Sequence, residues 1–100
     1  MIAKEHIHSD GRVVIAVCDK ELIGKKFSEG DKQLDFTSDF YKGKEMSPLL
    51  IGDMLRNADS ANLAGHKSTQ LGLEEGIIEK DQIITIDGIP FATAALEKAF

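Results

Sequence analysis

Two short stretches of the chain are almost wholly apolar and rich in β-branched residues: Val13-Val14-Ile15-Ala16-Val17-Cys18 and Ile83-Ile84-Thr85-Ile86. Each lies close to an Asp-Gly pair, Asp10-Gly11 one residue before the first and Asp87-Gly88 directly after the second, and Asp-Gly tolerates the two positive φ angles of a type I′ hairpin turn. The first pair predicts a hairpin between residues 2–8 and Arg12–Cys18. With Asp10 and Gly11 as the loop, His8 faces Val13, His6 faces Ile15 and Ala3 faces Cys18. His6 and His8 then share one sheet face and Cys18 points to the other, a parity that a three-residue loop would shift. The second pair joins Gln82–Ile86 to Ile89–Thr93 and aligns Ile84, Ile86, Ile89 and Phe91. Thr85 and Pro90 form a non-hydrogen-bonded pair there, and the missing N–H of Pro90 marks an edge strand, at least locally. The strand is expected to reach about residue 94; the alanines and Leu96 leave residues 95–100 as a strand end or a short helix. A further hairpin is predicted from Lys25–Ser28 and Lys32–Thr37, joined by Glu29-Gly30-Asp31, because Leu34 and Phe36 alternate with Gln33 and Asp35. Asp19–Gly24 reads as one helical turn with an N-cap Asp and a terminating Gly.

Ser47-Pro48 is the clearest helix start, a hydroxyl N-cap followed by a proline at the first helical position. Leu50, Ile51, Met54, Leu55 and Ala58 then predict a helix over residues 48–58 with one buried face. Asp59-Ser60-Ala61-Asn62 interrupts the pattern with residues that favour caps and turns. A second helix is expected from about 63 or 65 to 75, with Gly76 at its C′ position. Gly65 and Gly72 inside it would each cost roughly 1 kcal/mol relative to Ala, so they demand close packing or a kink. These elements predict an α+β fold: antiparallel β-hairpins forming a sheet, with two consecutive helices packed on one face.

Composition adds constraints. One hundred residues with 42% hydrophobic and 29% charged positions suit a single domain over 1–100. The net charge is −5, with eight bases against nine acids in the first fifty residues and four against eight in the last fifty. Strong binding of nucleic acid through phosphate neutralisation is therefore not expected. The solitary Cys18 forms no internal disulfide and no CxxC zinc motif, which fits a reducing cytoplasm. The run Val13–Cys18 is far short of the ~20 residues of a membrane helix. Lys4, Glu5, His6 and His8 do not suit the core of a signal peptide.

Several blocks carry a likeness to a family. They are Val14-Ile15-Ala16-Val17-Cys18-Asp19-Lys20-Glu21-Leu22-Ile23-Gly24-Lys25, Phe27-x-Glu29-Gly30, Ala58-Asp59-Ser60-Ala61-Asn62-Leu63-x-Gly65, Glu74-Glu75-Gly76-Ile77-Ile78 and Gly88-Ile89-Pro90. Together they resemble domain-of-unknown-function family 424, small proteins of about this length known mainly from archaea. The likeness spans residues 12–90, and its most specific element is Asp59-Ser60-Ala61-Asn62. Ser68 and Thr69 depart from it, standing where small apolar residues are expected. The resemblance implies a cytoplasmic single domain and brings no mechanism with it.

The segment Asp59–Lys67 is the leading candidate site. Asp59, Ser60 and Asn62 would lie on a loop leading into a helix whose start carries Gly65, His66 and Lys67. Free N–H groups at a helix start attract anions, and Lys67 adds positive charge. The competing reading is that the same polar side chains simply cap and turn the backbone. The segment is not a P-loop, because His66 and Ala61 stand where that motif needs glycines. Cys18-Asp19 could offer a thiol of lowered pKa, against the commoner role of a free cysteine as core filling. A Cys18–His66–Asp59 arrangement can be drawn but has no local signature. His6-x-His8 lacks a third zinc ligand nearby. Glu74, Glu75, Glu79 and Asp81 read as a solvated acidic patch, and only Phe40-Tyr41-Lys42-Gly43-Lys44 approaches a base-stacking platform.

Three functions follow as expectations, none with a cofactor or metal. The first is a non-enzymatic binding module presenting Asp59–Lys67, beside Cys18–Lys25, to a protein or ribonucleoprotein partner, with any RNA contact local to Lys42, Lys44 or Lys67. The second is an enzyme or sensor for a small anionic metabolite, using the helix start with Cys18, His66 or Asp59. The third is a structural subunit that docks an edge strand near Pro90 onto a partner sheet.

Overall fold

The β-branched run Val13–Cys18 is fully buried from Ile15 onward, on both its alternating sides, as expected of a strand covered on two faces. The computed structural model describes residues 1–96. In chain order the elements are β1 (Ile2–Ile7), β2 (Val13–Cys18), β3 (Lys26–Glu29), β4 (Lys32–Asp35), β5 (Lys44–Glu45), α1 (Pro48–Arg56), β6 (Ser60–Ala64), α2 (His66–Glu74), β7 (Ile84–Ile86) and β8 (Ile89–Ala95). Single 3₁₀ turns at Lys20–Leu22 and Lys80–Gln82 complete the list. Six strands form one sheet in the order β5-β1-β2-β6-β8-β7, and β3 with β4 makes a separate hairpin.

Asp59-Ser60-Ala61-Asn62 does not separate two consecutive helices by a turn: Ser60–Ala64 is strand β6, in the middle of the sheet and parallel to β2. The sheet is therefore mixed rather than built of antiparallel hairpins alone. Turn-forming side chains suggested a loop, but Ser60 and Asn62 alternate with Ala61 and Leu63, and the latter two are buried. Tertiary context outweighs the weak strand propensity of Ser, Ala and Asn. α1 and α2 nevertheless cover the same sheet face.

Two registers matter. β1 pairs with β2 as Ile2↔Cys18, His6↔Val14 and Ile7↔Val13, one residue from the expected alignment. The cause is a three-residue loop, closed by His8 N–H donating to the Arg12 carbonyl, with Gly11 at φ +87°. Because the side-chain period is 2, this slip puts Cys18 on the same face as His6 instead of the opposite one. The Asp87-Gly88 hairpin has the expected register, Ile84↔Phe91, Thr85↔Pro90 and Ile86↔Ile89. Its Pro90 strand is not an edge, since β8 lies between β6 and β7. Pro90 escapes the penalty because it sits beyond the paired stretch of β6, contributing only its carbonyl to Gly65 N–H. The possible helix over 95–100 falls mostly outside the described residues; Ala95 itself ends β8.

Both faces of the sheet contribute to a buried core. On one, Ile15, Val17, Ala61, Leu63, Ala92 and Ala94 pack against Ile51 and Leu55 of α1, Leu71 of α2 and Ile78. On the other, Ala16, Cys18, Ala64 and Ile86 pack under Leu34, Phe36 and Tyr41. The α1 start is as expected: Ser47 Oγ accepts from Leu50 N–H. The helix ends at Arg56, and its buried stripe is centred on Ile51 and Leu55, so Leu50 is 52% exposed rather than buried. Arg56 ion-pairs with Asp53 and with Glu75, tying the ends of α1 and α2 together. Gly72 answers the demand for close packing, since a Cβ there would stand 2.5 Å from Leu63 Cδ1 and 3.0 Å from Ile78 Cγ1. Gly72→Ala gains roughly 1 kcal/mol of helix propensity and meets an overpacking cost of about 1–3 kcal/mol. A net loss of about 1 kcal/mol is expected in urea unfolding, and a net gain would show that α2 stands off the sheet.

Candidate functional site

At the start of α2 the expected anion receptor is already filled. Asp19 directly follows β2, and its carboxylate accepts from Lys67 N–H at 3.1 Å, Ser68 N–H at 2.8 Å and Ser68 Oγ at 2.8 Å. Asp19 is only 3% exposed. The chain thus supplies its own anion to the helix start, and no open N–H cluster faces solvent there. Nor does Asp19 cap its own 3₁₀ turn, as its position suggested. Gly65 is not inside the helix but at its N-cap, with φ +104°, and a Cβ there would collide with the Asp19 carboxylate. The polar Ser68 and Thr69 are buried with partners: Ser68 on Asp19, and Thr69 Oγ1 on the Gly65 carbonyl at 2.8 Å.

The segment Asp59–Lys67 consequently divides in two. Asp59 precedes β6 and Gly65 follows it, separated by about 20 Å of extended chain. Asp59 Oδ2 accepts from Val13 N–H at 2.8 Å, and its carbonyl accepts from Leu96 N–H, joining β2, β6 and β8 at that end. His66 and Lys67 are exposed at the other end, beside a shallow groove with Gln70 and Glu74. Cys18 is wholly buried. Its thiol is pushed up to about 11, by burial first and then by the neighbouring Asp19, the reverse of an activated nucleophile. Cys18, His66 and Asp59 do not converge.

Asp59, Ser60 and Asn62 do assemble with new neighbours. The β3–β4 hairpin covers only one end of its sheet face: Ala16, Cys18 and Ala64 are buried, whereas Val14, Ser60 and Asn62 are half-buried and Thr93 and Ala95 exposed. The registers place Ser60 beside Val14 and Ala95, and Asn62 between Ala16 and Thr93, all on the open face. Among the described residues neither the Ser60 hydroxyl nor the Asn62 amide has an internal partner, and no fully buried side-chain N or O atom lacks one. A cleft of about 470 Å³ deepens this end between His8, Arg12, Asp59, Ser60 and Leu96. Arg12 pairs loosely with Asp10 at 3.5 Å, both largely exposed. Arg12 and Thr93 were not legible as site residues. For Thr93 the signal is its alternation with the buried Ala92 and Ala94.

The remaining motifs have structural duties. His6 stacks on Phe40, with ring centroids 4.6 Å apart, and its Nε2 lies 2.9 Å from the Phe40 carbonyl oxygen. That contact pins the loop before β5 to β1 and occupies the ring of Phe40, in the segment that came nearest to a base-stacking platform. Among the described residues no three His, Cys, Asp or Glu side chains are grouped to hold a metal ion. No helix there is long and apolar enough to cross a membrane.

Two outcomes follow. Asp19→Ala strands two helix N–H groups and the Ser68 hydroxyl, and a loss of about 2–3 kcal/mol is expected in chemical denaturation; unchanged stability would show the cap to be superfluous. The folded thiol of Cys18 titrates near 11 against an ordinary 9.0, so above about pH 9 the unfolded chain sheds its proton first and stability falls as pH rises toward 11. Burial shifts Tyr41 in the same direction. Melting temperature should decline across that window, and less steeply in Cys18→Ala; equal slopes would refute the burial account.

A family model described as a protein of unknown function (DUF424) matches residues 7–96. No curated protein matches the chain significantly. Among solved structures, the crystal structure of an uncharacterized conserved protein from Methanopyrus kandleri is similar, with a TM-score of 0.79 and 23% identity over 99% of this chain and 95% of that one. That likeness shows a shared fold. Since the family model spans nearly the whole chain, the protein belongs to the DUF424 family of proteins of unknown function.

Proposed function

We propose that the protein is a non-enzymatic binding module that presents the open end of its sheet to a protein partner. The observation that carries this reading is the pair Ser60 and Asn62: polar side chains on a central strand, half-buried, with no hydrogen-bond partner inside the described chain. Strands in parallel pairing ordinarily have both faces covered, and β6 is parallel to β2. Here the hairpin stops short and leaves donors and acceptors on a rigid platform, where little side-chain freedom is lost on binding. Asn62 offers two donors and an acceptor, and Ser60 and Thr93 add hydroxyls.

A protein partner fits better than RNA. Arg12 is balanced by Asp10 and Asp59 around the cleft, and the whole chain carries −5, so phosphate would meet no net positive field. Chemistry is disfavoured because the nucleophile is sealed and the imidazole and carboxylate lie at different ends of β6.

Affinity capture from native cell extract tests the reading. Ser60→Ala/Asn62→Ala removes two hydrogen bonds of about 1 kcal/mol each, enough to lower capture at least about tenfold. Its melting temperature should stay nearly unchanged, because the two side chains bond nothing among the described residues. Lys67→Ala, at the far end of the strand, should capture normally. Undiminished capture by the double variant would overturn the proposal, and capture abolished by nuclease would assign the face to RNA instead.

A further inference from the structure

The outer side of β1 is only partly covered. Its edge partner β5 pairs with Ile2 and Ala3 alone, leaving Lys4–Ile7 without a neighbouring strand on that side among the described residues. Which backbone groups point outward follows from the register. His8 N–H donates to the Arg12 carbonyl, and in an antiparallel pair such bonded positions recur every second residue, so His6 and Lys4 also turn their amides toward β2. Glu5 and Ile7 therefore direct their N–H and C=O groups outward. Ile7 is 66% exposed, an uncommon state for a large apolar residue on a strand.

A cleft of about 520 Å³ adjoins this edge, with Ala3, Met46 and Met54 among its apolar lining. Methionine surfaces adapt to varied apolar side chains. Around the rim stand Lys4, Lys42 and Lys44 against the single carboxylate of Glu5. Lys4 Nζ donates to the Asp39 carbonyl, and Lys42 meets the Asp39 carboxylate at 3.7 Å. Lys44 has no ion-pair partner among the described residues. In a chain of net charge −5, this is a locally positive site, and its complement is acidic.

The geometry points to the free edge of β1 as a strand-addition site for an extended acidic segment of a partner protein. The segment's backbone pairs with Glu5 and Ile7, its carboxylates face Lys42 and Lys44, and an alternate apolar side chain enters the methionine-lined cleft. This site is separate from the open face around Asn62, and its test does not touch Ser60 or Asn62, so either reading can fail alone.

The probe is a fluorescein-labelled eight-residue peptide alternating valine and glutamate, compared with its valine–lysine counterpart and with a version carrying a central proline. Fluorescence anisotropy should show the acidic peptide binding at least about tenfold tighter than the basic one and weakening with salt. Lys42→Glu/Lys44→Glu, which leaves the strand backbone intact, should reverse that preference. Proline in the peptide should abolish binding, and hydrogen exchange at the Glu5 and Ile7 amides should slow when the acidic peptide is added. Ile7→Pro removes one outward N–H while sparing the bonds to β2, and should weaken binding without loss of the fold. Equal binding of both charge types, or binding without slowed exchange at Glu5 and Ile7, would overturn the proposal. Dimerisation of the free protein with those amides already protected would also overturn it, assigning the edge to a second copy.

Discussion

The carboxylate of Asp19 joins the sheet to the helical layer, and much of the architecture is arranged around it. β2 ends at Cys18, and the next residue donates its backbone N–H to the Ala64 carbonyl, continuing the parallel pairing with β6. Its side chain crosses to the first turn of α2 and takes up two amides and a hydroxyl. A buried charge needs several such donors to be tolerable. Gly65 must then be glycine for two reasons at once: a positive φ, and no room for a Cβ beside the carboxylate. The strand–glycine–helix junction looks like an anion site because it is one, occupied from within.

That internal occupancy moves attention from helix start to sheet. Parallel pairing of β2 with β6 sends Asp59 to one end and Gly65 to the other, so residues adjacent in sequence serve different regions. The hairpin of β3 and β4 shelters the Cys18 end, where Phe36 and Tyr41 seal the thiol. The Ser60 end stays open. Burial on one side of Asn62 and exposure on the other give the molecule a rigid polar platform, and its position follows from the length of the hairpin that covers the rest.

Sheet edges add a second kind of surface. β7 has its outer side approached by the β3–β4 hairpin, through Glu29 accepting from Asp87 N–H. β1 is shielded only where β5 reaches it. Natural sheets blunt such edges with charge, and here the predominantly cationic rim of Lys4, Lys42 and Lys44 repels basic strands without closing the edge to acidic ones. Ile7 remains exposed among them, which is what a selective edge needs and an inert one avoids.

Local signals suffice where one short stretch contains the whole cause. The Asp87-Gly88 register, the Ser47 cap, the Gly76 C′ position with φ +71°, and the α+β class follow from turn chemistry and periodicity over a few residues. Asp59, Ser60 and Asn62 were legible as a polar group worth attention, but not as a strand. Propensity speaks for each residue alone, whereas β6 exists because β2 and β8 supply hydrogen bonds on both of its sides. The loop length of the first hairpin turned on one residue and reversed the facing of Cys18. The pairing of Asp19 with Lys67 and Ser68 spans 48 and 49 positions of sequence. No local pattern encodes such contacts; they arise only when the chain folds far enough to bring a carboxylate against a helix start, and that closure decides which polar groups remain available to a partner.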